Sequence, residues 1–93
     1  MSSARIAVRF RVSGRVQGVG FRYFVIQKAR EVGIAGWVKN LADGGVEVHV
    51  EAPDPDVRRI EVALRQGPPL SRVDTVLEIA APFEDAATFE ICY

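Results

Sequence analysis

Residues 5–33, RIAVRFRVSGRVQGVGFRYFVIQKAREVG, change their apolar period halfway, and that change decides the fold. From 5 to 13 the residues alternate. Ile6, Val8, Phe10 and Val12 fall on one side and Ala7, Arg9, Arg11 and Ser13 on the other, the pattern of a strand with one face in a core and one in water. From Phe21 the apolar positions Phe21, Phe24, Val25, Ala29 and Val32 recur at i, i+3, i+4, i+8 and i+11, the stripe of an amphipathic helix, with Gly33 as its stop. Between them lies a stretch with three glycines, Gly14, Gly18 and Gly20.

The remaining chain continues the alternation of strands and helices. AGWVKNL (35–41) and GVEVHVE (45–51) read as two strands joined through Ala42, Asp43 and Gly44, a hairpin. Asp54 before Pro55 reads as a capping carboxylate ahead of a first-turn proline, and Val57, Ile60 and Leu64 mark a second helix that Gly67, Pro68 and Pro69 end. RVDTVLEI (72–79) is a strand whose irregular apolar pattern predicts a bulge or a doubly covered stretch. Phe89, Ile91 and Tyr93 suggest a short edge strand at the carboxy terminus. The predicted order is βαββαβ plus one strand, the α+β ferredoxin-like arrangement of an antiparallel sheet with both helices on one face. First and third strands are neighbours in that topology, so Arg9 and Arg11 are expected near Glu47 and Glu51 on the solvent face.

Ninety-three residues suit one domain, assigned to 1–93. Twelve basic and twelve acidic side chains cancel, which removes the broad positive field that nucleic-acid binders use. The single cysteine, Cys92, has no internal partner, and MSSARIAVRF lacks the apolar core of a secretory leader, so a reducing, cytoplasmic location is expected. No run approaches the roughly 20 apolar residues of a membrane span.

The chemistry concentrates at residues 14–22, GRVQGVGFR. The first turn of a helix carries unpaired amide N–H groups and the positive end of its dipole, and glycines let neighbouring amides turn toward one anion. No Ser, Thr, Asp or Asn stands directly before Phe21 to cap those amides, so a phosphate bound by Arg15, Val16, Gln17, Gly18, Val19, Gly20 and Phe21 would fill that role. The glycines would also serve a plain strand-to-helix turn. Arg22, one residue into the helix, can turn its guanidinium fork back onto the anion, or equally lie in solvent beside Tyr23, Lys28 and Arg30. Arg15 reads as positioning or surface charge. Strands one and two run parallel across the βαβ crossover, which brings Asn40 to the same sheet edge as the loop. There its carboxamide can hold a water in line with phosphorus, or act as a turn residue.

These residues, Gly14 to Arg22 together with Gly36-Trp37-Val38-Lys39-Asn40 and Asp43-Gly44-Gly45-Val46-Glu47, closely resemble the acylphosphatase family, and the similarity extends over nearly the whole chain. The resemblance implies a ferredoxin-like enzyme that hydrolyses acyl phosphates without metal or organic cofactor. In it loop amides and Arg22 bind phosphate and Asn40 positions water. It departs from the family at Cys92, where a basic residue is frequent. A carboxylate leaves as an anion, its conjugate acid having a pKa of about 4–5, so no protein acid is required. The expected partners are a small acyl phosphate and inorganic phosphate as product and competitor, with the enzyme a monomer. A resembling domain also opens the long hydrogenase-maturation carbamoyltransferases, but the present length suits a free-standing enzyme.

An RNA-recognition-like module uses the same strand order. It is disfavoured because the expected wet face offers Arg9, Arg11, Glu47, His49 and Glu51 rather than paired aromatics. His49 between Glu47 and Glu51 reads as part of a charged solvent surface ahead of a metal site. Trp37 reads as a packing aromatic, and Cys92 as a structural thiol.

Overall fold

The computed structural model describes residues 4–93. Its elements follow the expected order: β1 (Arg5–Arg15), α1 (Phe21–Val32), β2 (Ala35–Asn40), β3 (Val46–Pro53), α2 (Asp54–Gln66), β4 (Arg72–Ala80) and β5 (Phe89–Cys92). The strands form one sheet in the order β4-β1-β3-β2-β5. The inward residues of β1, Val8, Phe10 and Val12, meet Val46, Val48 and Val50 of β3 and Val38 of β2 beneath Phe21, Val25 and Ala29 of α1 and Val57, Ile60 and Leu64 of α2. Both helices therefore cover one face, as the two apolar periods require. Among the described residues no helix is long and apolar enough to cross a membrane.

Three expectations about detail change or gain definition. The sheet is mixed rather than antiparallel, because β5 pairs parallel with β2. The chain after β4 crosses the open face and reverses, so it enters the far edge running with β2. The bulge expected in β4 is present: Ser13 faces Thr75 while Gly14 faces Val73, so Asp74 is the extra residue. Asp54 is not a cap. Pairing of Pro53 with Arg5 carries β3 up to the helix start, Pro53 takes the cap position, and Asp54 lies in the first turn with its carboxylate 3.4 Å from Arg58 Nε.

The largest correction concerns the open sheet face, which is not a solvated charged surface. Glu47, His49 and Glu51 are 6%, 0% and 1% exposed. Arg11 does pair with Glu47, at 3.1 Å, but Arg9 reaches His49 and Glu84 instead of Glu51. Glu47 lies between Arg11 and Lys39, and for His49 and Glu51 the cause is residues 81–88, which lie across this part of the face. Glu84 and Ala86 donate their N–H groups to the two oxygens of Glu51, at 2.7 and 3.2 Å, and Glu84 accepts from Trp37 Nε1. Trp37 in turn stacks on the His49 ring. Arg9 Nε can only donate, so His49 Nδ1 is an acceptor and its Nε2 carries the proton donated to Glu51 Oε2 at 2.7 Å. Both ring nitrogens of His49 are thus occupied.

Burial alone would push the Glu51 carboxyl up, but its hydrogen bonds from His49, Glu84 and Ala86 outweigh that and hold it below the usual carboxylate range. A lowered folded value stabilises the fold above the ordinary range and loses that stabilisation as pH falls through it. Glu78, held low by Arg58, and Glu84, held low by Trp37, act in the same direction. The urea midpoint is therefore expected to fall on acidification. Glu51→Gln should cost about 1–3 kcal/mol at neutral pH and make the acid limb shallower. An unchanged acid limb in that variant would exclude Glu51 as a contributor.

Candidate active site

β1 and β2 both run antiparallel to β3, so they are parallel to each other and their carboxy-terminal ends share one sheet edge. β1 leads there into the loop that opens α1, and β2 ends there at Asn40. The loop is anchored by Val16 and Phe21, 1% and 2% exposed, and by Val19 packed against the core. With those side chains committed inward, only their main chain is free to meet a ligand. Gly18 and Gly20 take φ of +71° and +79°, left-handed values at which a side chain would be strained. Gly20 is the residue before the helix and has no side chain to cap it; its carbonyl accepts the Phe24 N–H at 3.0 Å. The N–H groups of Phe21, Arg22 and Tyr23 have no acceptor within the helix and stand at the positive end of its dipole.

Val16, Gly18, Gly20, Phe21, Arg22, Tyr23 and Asn40 line a single concavity of about 130 Å³. Six of the predicted site residues thus meet: Val16, Gly18, Gly20, Phe21, Arg22 and Asn40. Among the described residues no carboxylate lines the concavity beside Arg22. The guanidinium of Arg22 also lies 5.0 Å from the centre of the Tyr93 ring, a cation–π contact. From sequence alone Tyr93 is expected only as an edge-strand residue. Nothing in the local pattern reveals the contact, because it depends on β5 running parallel to β2.

The other predicted loop residues lie outside the wall. Arg15 is exposed at the end of β1, its backbone opposite Arg72. Val19 packs inward. Gln17 turns away from the concavity and donates from Nε2 to the carbonyls of Leu41 and Gly45, both at 2.8 Å.

Two other features compete for attention. A wider concavity of about 560 Å³ on the outer flank of α1 is lined by Tyr23, Ile26, Gln27, Arg30 and Glu31, and all of these but Tyr23 lie beyond the first turn, where the amides are bonded within the helix. His49, Glu51 and Glu84 offer ligand atoms within 4.8 Å of one another. The donor set does not suit a metal, however. Nε2 of His49 carries its proton, Nδ1 is taken by Arg9, and the Arg9 cation lies against the same group.

A helix amino terminus, one guanidinium and one carboxamide thus gather at one end of a ferredoxin-like sheet. The sequence model of the acylphosphatase family matches residues 8–91. An acylphosphatase of Koribacter versatilis is 50% identical over 84 residues, spanning 89% of this chain and 76% of that protein. One of Archaeoglobus fulgidus is 44% identical over 88 residues, spanning 95% and 99%. The crystal structure of acylphosphatase from Bacillus subtilis superposes with a TM-score of 0.91 at 40% identity, covering 95% of this chain and 99% of that one. The chain belongs to the acylphosphatase family. The alternative of an RNA-binding sheet gains nothing from the fold, since residues 81–88 occupy the face on which bases would stack.

Proposed function

We propose that the acylphosphatase activity of this family member is carried by the main-chain cradle of residues 15–21, by Arg22 and by Asn40. The observation that supports it is the convergence of Val16, Gly18, Gly20, Phe21, Arg22 and Asn40 on one small concavity that no carboxylate lines among the described residues. Its volume of about 130 Å³ is well below the roughly 300 Å³ at which sites enclose whole organic ligands. It takes the phosphoryl group and leaves the acyl part outside.

Cradle amides and Arg22 neutralise the equatorial phosphoryl oxygens, and the Asn40 carboxamide holds a water opposite the leaving group. The water oxygen bonds to phosphorus as the bond from phosphorus to the acyl oxygen breaks, and the electron pair departs with the carboxylate. No carboxylate or imidazole lines the wall, so the water proton passes to a phosphoryl oxygen, and the products are a carboxylate and inorganic phosphate. Inorganic phosphate competes for the same amides. The enzyme works as a monomer and as one domain, the latter reading supported by a single hydrophobic core that joins both helices to the sheet. The lone, half-buried Cys92 supports a reducing, cytoplasmic compartment.

Phosphate release from benzoyl phosphate and from an alkyl phosphate monoester, both in excess EDTA, tests this reading. Benzoyl phosphate should be preferred by about a hundredfold or more, because an alkoxide leaving group needs a proton that the wall does not supply. Comparable rates on both, or strict dependence on added metal, would overturn it.

A further inference from the structure

We propose that Gln17 is a positioning residue, whose side chain sets the distance between the phosphate cradle and Asn40 and does not itself touch the anion. The inference rests on the assignment of Asn40 above. Gln17 is half-buried in the loop, and both acceptors of its amide nitrogen, Leu41 O and Gly45 O, belong to the turn that follows Asn40. Because both partners are carbonyls, the nitrogen must face them, and its two hydrogens are used in full. Among the described residues these are the two hydrogen bonds that join loop 16–20 to turn 41–45.

The turn does not need them to form. Leu41 O already accepts the Gly44 N–H at 3.2 Å, Gly45 O accepts the Leu41 N–H at 2.8 Å, and Asp43 Oδ1 accepts the Gly45 N–H at 2.9 Å. Removing the Gln17 donors therefore leaves the hairpin closed on itself and releases only the tie across to the loop. Asn40, exposed at the last position of β2, is one peptide away from that tie. A small displacement there misaims the water while the cradle, held by Val16, Val19 and Phe21, keeps its anion.

Two variants test this, Gln17→Met, which keeps length without donors, and Gln17→Glu, which at neutral pH points an acceptor at two acceptors. Gln17→Met should lower kcat about tenfold or more while inhibition by inorganic phosphate changes less than about threefold, the split expected of a group acting after binding. In an Asn40→Ala background the same substitution should lower kcat no further, since its effect runs through the missing carboxamide. Gln17→Glu should recover activity relative to wild type as pH falls, because a protonated carboxyl regains one donor. A merely structural role would give no such rise.

Loss of phosphate inhibition in step with kcat, or additive losses with Asn40→Ala, would make Gln17 an anion ligand and overturn the proposal. So would wild-type kcat in Gln17→Met alongside an impaired Asn40→Ala. If Gln17→Met does not fold, the ratio of Gln17→Glu to wild-type activity across pH decides, and a flat ratio overturns it. Wild-type kcat in Asn40→Ala alone removes the underlying assignment of Asn40 and this inference with it, a failure separable from that of Gln17.

Discussion

Asn40→Ala is expected to lower kcat about a hundredfold or more, the scale lost with one positioned transition-state contact, while inhibition by inorganic phosphate stays within a few-fold of wild type. Binding and turnover separate because the cradle amides and Arg22 come from the loop and α1, whereas Asn40 comes from the end of β2. The side chain is exposed and outside the core, so its truncation leaves packing intact. Circular dichroism on the same preparation checks the fold. If phosphate affinity falls as far as kcat, Asn40 binds the anion and does not aim water.

Arg22→Ala should weaken phosphate inhibition and lower kcat/KM together, by about 2–4 kcal/mol in transition-state stabilisation. Here the two effects should move in step, since a guanidinium beside the phosphoryl oxygens contacts them before and during transfer. Arg22→Lys should restore little. A point charge on a flexible stem lacks the planar fork, and it does not stack over the Tyr93 ring as the guanidinium does. Near-normal kcat/KM in a folded Arg22→Lys enzyme would show that charge alone suffices.

The buried polar cluster on the open sheet face bears on stability rather than chemistry. Glu51 is on β3, and its carboxylate, not an apolar contact, receives the chain returning at Glu84 and Ala86. That return delivers β5 to the edge of β2 and so brings Tyr93 to Arg22. The acid sensitivity expected of it follows from hydrogen bonds to an ionised group that burial alone would favour in neutral form.

The period change between β1 and α1, the glycine stop at Gly33 and the Asp43-Gly44 turn were legible because they are local: backbone sterics and a repeat of two or 3.6 residues act over a few positions. Topology follows, since a right-handed βαβ crossover and a hairpin leave few arrangements, and it alone puts Asn40 beside the loop. What only the tertiary structure decided depends on partners far along the chain. Alternation put Glu47, His49 and Glu51 correctly on the face opposite the helices, but periodicity distinguishes two faces of a strand and not which of them water reaches. For His49 and Glu51 that was decided by residues 81–88, 30 or more positions away from Glu51 in sequence, whose amides satisfy its carboxylate. Likewise the motif brought Gln17 into view among the loop residues, but the direction of its amide is set by two carbonyls 24 and 28 residues away. Hydrogen-bond donors are indifferent to sequence separation, so their partners are visible only once the sheet has assembled.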